Sequence, residues 1–222
     1  LSCLFNKCTI SSGNGGALFL NASVSYLFIE SSSFFSCKTN SGEGGAIYFY
    51  NTNSGQSVLY AVCGYDCSST DTGVFARTTV QSSPTSKNYF NYTSITRCVD
   101  GISNSYCMVY PQYGKNYCPS VNISTNKCQR GTGIVNTPSV DSSSVTSSLL
   151  FSTFADNNAS KHNCIWCNTG SANYEIKYCN IIRNTQVEFS TYGTIFARGN
   201  LTIEDSCILE NNAGNTFYQE KT

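Results

Sequence analysis

The segment Ser32-Ser33-Phe34-Phe35-Ser36-Cys37, followed at 44–49 by Gly-Gly-Ala-Ile-Tyr-Phe, decides the fold of this 222-residue chain. The same two elements stand at the start of the chain, as Cys3-Leu4-Phe5-Asn6-Lys7-Cys8 and, at 15–19, Gly-Gly-Ala-Leu-Phe. Cys8 and Cys37 are 29 residues apart. A fixed period of about 20 to 50 residues is typical of repeat architectures, in which each unit buries its apolar face against its neighbours.

The first element can be written as a small residue, any residue, a large apolar residue, any two residues, and then Cys or Asn. Weaker copies end at Cys67 and Cys128. We predict that the closing residues stack in one inward-facing column, which we call the ladder, because a buried Asn can hydrogen-bond the Asn of the next unit and Cys behaves as a small buried hydrophobe. The predicted ladder is Cys8, Cys37, Cys67, Cys98, Cys128, Asn157, Asn184 and Asn212, at spacings of 29, 30, 31, 30, 29, 27 and 28 residues.

Each unit contains three short β-prone runs, at 17–20, 26–29 and around Phe34 in the first full unit, and no amphipathic helical segment. Three short strands cannot bury their own apolar face, but stacked on identical units they form three parallel sheets around one core. The predicted fold is therefore all-β, a right-handed single-stranded parallel β-helix of about eight rungs of 27–31 residues. We expect residues 1–222 to be one domain and a segment of a longer chain. The glycines before the second run should supply positive φ or a close approach of backbones.

Charge is sparse, with 12% charged residues and a formal net charge of zero. Nucleic acid and anionic membranes are therefore not expected partners. No run of about 20 apolar residues occurs, so we expect no membrane span within this segment. A signal peptide or an anchor would lie outside it.

The column one residue before the ladder should point outward, because side chains alternate along a strand. It reads Lys7, Ser36, Asp66, Arg97, Lys127, Asp156, Arg183 and Asn211. This column predicts surface ion pairs between Asp66 and Arg97 and between Lys127 and Asp156.

The chain has 13 cysteines. The parallel Cβ vectors of ladder cysteines suit the near-90° torsion of a disulfide poorly, so we expect these residues to be buried free thiols. Cys107 and Cys118 could close a loop as a disulfide. Two further close pairs, Cys63 with Cys67 and Cys164 with Cys167, lie three rungs apart, roughly 14 Å, which is too far for one zinc site. We expect no metal and no cofactor.

N-glycosylation sequons begin at five asparagines, and they permit but do not require modification. They are Asn21, Asn91, Asn122, Asn158 and Asn200.

Parallel β-helix enzymes that cleave acidic polysaccharides use acidic and basic residues on neighbouring rungs, and glycoside cleavage needs two carboxyls about 5–10 Å apart. Here the carboxylates are scattered, with no pair at consecutive rungs of one column, and His162 is expected to be an ordinary exposed residue. We therefore predict no catalytic residues and no enzymatic activity. Tyr110 and Tyr113 are candidates for stacking on a sugar or a protein partner.

The Gly-Gly-Ala-Leu/Ile motifs at 15–18 and 44–47, alternating with Phe154-Ala155-Asp156-Asn157, resemble the repeats of the chlamydial polymorphic outer membrane proteins. They are more similar still to the β-helical surface proteins of trichomonad protists, in which Cys often takes the Asn position. The resemblance implies a secreted or surface-displayed adhesin.

The expected function is thus a non-enzymatic, extracellular or cell-surface module for binding or scaffolding, with a protein or glycan on another surface as its partner. One alternative is a carbohydrate-binding or polysaccharide-cleaving β-helix of the pectate-lyase type. Another is a structural rod that self-associates end to end through open solenoid ends.

Overall fold

The computed structural model describes residues 2–99, 106–160, 164–188 and 192–220. Throughout these residues the regular structure is β-strand, and the strands stack in parallel as a β-helix. The fold class predicted from the 27–31-residue period is confirmed. His162 lies outside the described residues, so its predicted exposure stays a prediction.

Three long sheets form the walls of the solenoid, and successive strands of each sheet belong to successive rungs. Sheet 1 contains Leu4–Asn6, Ser33–Phe35, Cys63–Tyr65, Ser94–Thr96, Asn122–Ser124, Thr153–Ala155, Asn180–Ile182 and Cys207–Leu209. Sheet 2 contains Leu18–Leu20, Ile47–Tyr50, Ala76–Thr79, Val109–Gln112, Ile134–Asn136, Ile165–Cys167, Ile195–Ala197 and Phe217–Gln219. Sheet 3 contains Tyr26–Glu30, Gln56–Tyr60, Lys87–Asn91, Lys115–Pro119, Val145–Leu150, Asn173–Lys177 and Asn200–Glu204.

Two shorter sheets follow sheet 1 along the chain. One pairs Thr9–Ile10 with Lys38–Thr39, and the other contains Lys127–Cys128, Asn158–Ala159 and Thr185–Gln186. Each of the first seven rungs runs from sheet 1 through a corner to sheet 2 and then to sheet 3, and the eighth is described as far as sheet 2.

The core is built from columns of inward side chains. In sheet 1 the central residue of each strand faces inward, as Phe34, Ile95, Ile123 and Phe154 do, each fully buried. The third rung has Gly64 in this column, and a Cβ there would lie 2.4 Å from the ring of Phe75. The motif is weak in that rung because the ring of Phe75, the residue before the strand Ala76–Thr79, fills the space of the missing side chain. Phe75 also packs edge-on against Phe34, with ring centroids 5.8 Å apart.

The corner after sheet 1 depends on a left-handed residue in every rung. Its φ angles lie between 52° and 57°, a region that non-glycine residues rarely occupy and that costs them roughly 1–2 kcal/mol each. The residues are Lys7, Ser36, Asp66, Arg97, Thr125, Asp156, Arg183 and Glu210. The cost recurs at every rung because this conformation turns the next side chain into the core.

The paired glycines before sheet 2 have the two roles expected of them. Gly44 has a φ of 64°, and a Cβ on Gly45 would lie 2.2 Å from the carbonyl oxygen of Val74. The first glycine therefore serves the bend, and the second allows the rungs to approach closely.

The structure places two ladder positions differently from the prediction. Asn126 takes the position assigned to Cys128, because Ile123 pairs with Ile95 and fixes the register of the fifth rung. Cys128 is also buried, but it lies two residues further along, in the short strand that pairs with Asn158–Ala159.

In the eighth rung Asn211 takes the position assigned to Asn212. Ile208 pairs with the buried Ile181, whereas Leu209 is 55% exposed. The inward position therefore comes one residue earlier than the motif suggested, and Asn212 is exposed.

From the fifth rung onward the ladder is a chain of amide hydrogen bonds. The Oδ1 of Asn157 accepts from the backbone N–H and from Nδ2 of Asn126 at 3.0 and 3.1 Å. The Nδ2 of Asn157 donates to the Oδ1 of Asn184 at 2.9 Å and to the carbonyl of Ile123 at 2.8 Å. Asn184 repeats the pattern with Asn211. Each buried amide is thus satisfied by the rungs on either side.

In the first four rungs the ladder holds thiols, at Cys8, Cys37, Cys67 and Cys98. The last three are fully buried. The sulfur of Cys98 accepts from the backbone N–H of Cys67 at 3.4 Å, where the later rungs use Asn Oδ1. A thiol thus takes the acceptor role of the amide within this half, and at the change to the other half the N–H of Cys98 donates to the Oδ1 of Asn126.

The outward column beside the ladder contains neither predicted ion pair. Arg97 donates to the hydroxyl of Tyr65, and Asp66 accepts from Ser36. Asp156 instead pairs with Arg183 of the next rung, at 2.7 and 2.9 Å, because the register places Thr125 rather than Lys127 beside it. This pair is exposed, and such pairs contribute less than about 1 kcal/mol.

Replacing a ladder asparagine should destabilise the fold by more than the loss of one hydrogen bond, because the side chain bonds to the rungs on both sides. Asn157→Ala leaves the backbone N–H of Asn126 without its acceptor and removes one hydrogen bond each from Nδ2 of Asn126 and from the carbonyl of Ile123. We therefore expect a loss of about 3 kcal/mol in the free energy of unfolding. Asn157→Cys, which mimics the thiol half, should cost less. Urea unfolding of both variants tests this, and an equal loss in both would contradict the acceptor role of the thiol.

Native thiol reactivity should follow burial. Cys3, Cys63 and Cys207 are exposed, Cys8 is half-buried, and the other nine cysteines are buried. Burial raises the pKa of Cys118 to about 12, so its reactive thiolate is scarce at neutral pH. Alkylation of reduced native protein, read by peptide mass spectrometry, should modify the three exposed cysteines first. Early modification of the buried ladder thiols would contradict the structure.

A candidate ligand-binding cleft on sheet 2

The outer face of sheet 2 carries one continuous column of large side chains. The strand register aligns the residue after each inward apolar residue. The column reads Phe19, Tyr48, Arg77, Tyr110, Val135, Trp166, Phe196 and Tyr218.

Several neighbours in this column pack on one another along the solenoid. Phe19 and Tyr48 are parallel, with centroids 5.5 Å apart, and Phe196 and Tyr218 are parallel at 5.7 Å. The guanidinium of Arg77 lies 5.3 Å from the centroid of Tyr110.

The stack is interrupted at Val135, whose side chain has no ring. Neighbouring rungs are about 4.8 Å apart, so Tyr110 and Trp166 are separated by roughly 10 Å across the gap. A cleft of about 180 Å³ opens there, lined by Thr72, Tyr106, Tyr110, Val135, Trp166 and Asn168. This volume is below the roughly 300–1,000 Å³ of sites that enclose a drug-sized molecule, so the cleft suits one ring of a ligand.

Tyr106 closes one side of the cleft, with its ring centroid 6.4 Å from that of Trp166. Trp166 is itself fixed from the other side, where Phe196 packs edge-on at 5.4 Å. The gap therefore lies between the aromatic side chains of Tyr110 and Trp166, with Val135 at its base. Asn168 and Thr72 are the polar residues that line it.

Two guanidinium groups border the cleft. Arg77 stacks on Tyr110, and Arg130 lies 4.4 Å from the centroid of Tyr106 and donates to its hydroxyl. Arg77 pairs with Glu43, and the carboxylate of Asp71 accepts from Thr72, although none of the cleft-lining residues is itself acidic. Because guanidinium groups already occupy two ring faces, the arrangement disfavours an ammonium ligand and favours a neutral or anionic one.

Burial raises the pKa of Tyr110, so its hydroxyl stays protonated at neutral pH and can donate a hydrogen bond. Burial lowers the pKa of Arg77. The ordinary pKa of arginine is so high that the guanidinium group is still charged at neutral pH.

Of the two tyrosines singled out in the sequence, Tyr110 lines the cleft and Tyr113 does not. Tyr113 occupies a turn with a φ of 65° and packs against the core. Tyr106 and Trp166 were missed. Alignment of the second strands one residue past the inward Ile or Val would have found Trp166, because it follows Ile165 as Tyr110 follows Val109.

The other predicted sites lie elsewhere. All thirteen cysteines are free in the structure, including Cys107 and Cys118, which are both buried. In the described ranges, no three His, Cys, Asp or Glu side chains converge as ligands for one metal ion.

The sequon asparagines differ in exposure. Asn21, Asn158 and Asn200 are exposed, whereas Asn91 and Asn122 are half-buried. Asn21 lies outside the strands, next to a turn, so it is the most accessible to a glycosylating enzyme. Glycosylation itself stays a prediction.

One acidic cluster appears on sheet 3, away from the cleft. The Nζ of Lys177 lies 3.2 Å from a carboxylate oxygen of Glu175 in its own strand and of Glu204 in the next rung. Glu175 also accepts from Ser148 at 2.7 Å. The two carboxylates share one ammonium group, and the pair with Glu204 raises the pKa of Lys177, as the pair with Glu175 also does. This is the arrangement of a surface ion-pair network.

Comparisons with protein-family models, with curated proteins and with solved structures found no match. The described residues contain no helix long and apolar enough to cross a membrane.

Filling the gap should shield the single tryptophan of the chain. In Val135→Phe the new ring would continue the stack between Tyr110 and Trp166, so we expect acrylamide to quench the fluorescence of Trp166 about half as effectively. Phe151→Ala, at an exposed corner of another sheet, should leave quenching unchanged. Equal quenching of wild type and Val135→Phe would contradict the open cleft.

Proposed function

We propose that this chain is the displayed binding part of an extracellular or cell-surface protein, adhesin-like and non-enzymatic, and that the cleft at Val135 binds a sugar ring of a glycan on another surface. The observation that supports this is the gap that Val135 leaves in the column between Tyr110 and Trp166, two aromatic side chains that line the cleft. A pyranose ring has apolar C–H faces for Tyr110 and Trp166 and hydroxyls at its edge for Asn168. The solenoid holds both walls rigidly, so little ordering is required on binding.

A binding role fits better than a cleaving one. The carboxylates that lie together, Glu175 and Glu204, share Lys177 on sheet 3, whereas the cleft lies on sheet 2 and none of its lining residues is acidic. A ligand ring in the cleft would therefore meet no pair of carboxyls of the kind that glycoside cleavage uses.

Glycan-array screening followed by titration of Trp166 fluorescence tests the proposal. Trp166→Ala should weaken binding of any glycan found by at least about tenfold, or about 1.4 kcal/mol of lost stacking. Val135→Phe should block binding without removing any wall residue. Phe151→Ala removes an exposed aromatic remote from the cleft and is the matched control.

Binding that is lost in Trp166→Ala and Val135→Phe and kept in Phe151→Ala supports the proposal. Glycan binding that survives Val135→Phe, or an array without a bound glycan, overturns it. Antibody labelling of intact cells of the source organism tests surface display separately.

A further inference from the structure

Two of the residues that line the cleft are oriented by arginines that lie outside its lining. The Nη1 of Arg198 donates to the Oδ1 of Asn168 at 3.1 Å, and Arg130 donates to the hydroxyl of Tyr106. Arg198 is itself anchored, because its Nε donates to a carboxylate oxygen of Glu220 at 2.5 Å. Each of these contacts joins residues of different rungs, so the stacking of the solenoid determines which groups meet.

Arginine only donates hydrogen bonds, and this decides what the two residues offer to a ligand. The amide of Asn168 must turn its oxygen to Arg198, because its nitrogen is also a donor. The Nδ2 group of Asn168 makes no hydrogen bond within the part of the chain that the structure describes. Tyr106 accepts through its oxygen, so its own O–H hydrogen can still be donated. Both residues therefore offer donors to the cleft.

The remaining polar groups of the lining do not reverse this bias. The hydroxyl of Tyr110 is a third donor, because burial raises its pKa and keeps it protonated. Thr72 is the exception, since its hydroxyl donates to the carboxylate of Asp71 at 3.1 Å and can only accept from a ligand. Val135, at the base, has no polar side-chain group. The cleft thus has more donors than acceptors and suits a ligand group that accepts without donating.

Among common sugar substituents, carbonyl groups fit this description. A hydroxyl group both donates and accepts, so a plain hexose gains nothing from the bias. An acetamido group and a carboxylate both have a carbonyl oxygen that only accepts. The charges near the cleft are balanced, with Arg77 and Arg130 positive and Glu43 and Asp71 negative, so they favour the neutral acetamido group.

We propose that the sugar ring bound in the cleft carries an acetamido group, whose carbonyl oxygen accepts from the Nδ2 of Asn168. The methyl group of the substituent is apolar and suits the isopropyl group of Val135. Its N–H points away from the carbonyl oxygen, because the amide is trans, and is left to solvent. This inference rests on the function proposed above and names the class of ligand as an N-acetylated amino sugar.

Titration of Trp166 fluorescence with matched monosaccharides tests the class of ligand. N-acetylglucosamine, glucose and glucosamine differ only in the substituent on carbon 2, and glucuronic acid carries a carboxylate. The galactose series is titrated in the same way. In one series the N-acetylated sugar should bind about tenfold more tightly than the parent hexose, which is the effect of about one additional hydrogen bond. The amino sugar should bind most weakly, because its ammonium group also only donates.

Two variants test the roles of Asn168 and of Arg198, the positioning residue. Asn168→Asp keeps an acceptor for Arg198 but offers no donor to the ligand, so the preference for the N-acetylated sugar should disappear. In Arg198→Gln the new amide can donate or accept, so Asn168 is no longer held in one orientation and the preference should fall by about half. Affinity for the parent hexose should change little in either variant.

Arg183→Gln is the matched control, because Arg183 is also exposed and donates to a side-chain oxygen of a neighbouring rung, that of Asp156, far from the cleft. A preference for the N-acetylated sugar that is lost in Asn168→Asp and kept in Arg183→Gln supports the proposal. Tighter binding of glucuronic or galacturonic acid, or a preference that survives in Asn168→Asp, would overturn it. Equal binding of N-acetylated and parent sugars, with both blocked by Val135→Phe, would overturn this inference and leave the proposed function standing.

Discussion

The constraint on which this structure depends is the parallel pairing of each strand with the same strand of the next rung, at one fixed separation. Because the pairing is in register, each position of a rung becomes a column along the solenoid, and like side chains meet like. The amide ladder from Asn126 to Asn211 is a direct result, since a buried amide is satisfied by an identical neighbour. The same stacking places a residue in the left-handed conformation at the corner after sheet 1 in every rung, and this conformation costs free energy.

The period of the sequence was sufficient to predict the fold because a rung too small to bury its own core must stack. It was not sufficient to place every rung. At Cys128 the preference for cysteine in the motif concealed Asn126, and at Asn212 a run of two asparagines concealed a shift of one residue. In both cases the inward isoleucine, Ile123 or Ile208, fixes the register, and only strand pairing identifies it.

The cleft could not be predicted from motifs. It exists because Val135 has no ring at its position in the outward column of sheet 2, and that column becomes visible only when the strands are aligned. Tyr110, Val135 and Trp166 are more than twenty residues apart and become neighbours only through the register of sheet 2. Both the cleft and the thiol ladder follow from the same rule. A column of identical residues repeats one side-chain environment from rung to rung, as the four ladder thiols do. A column with one smaller residue leaves a gap between its neighbours, as Val135 does between Tyr110 and Trp166.

Hydrogen exchange at the ladder tests this account most directly. The backbone amides of Cys98, Asn126 and Asn157 each donate to a side-chain oxygen of the next rung, so they should exchange only when the whole solenoid unfolds. Exchange of these three amides at the rate of global unfolding, measured by NMR, is the predicted result. Exchange of these amides well before global unfolding would show that the column does not hold the rungs together, and would contradict the account.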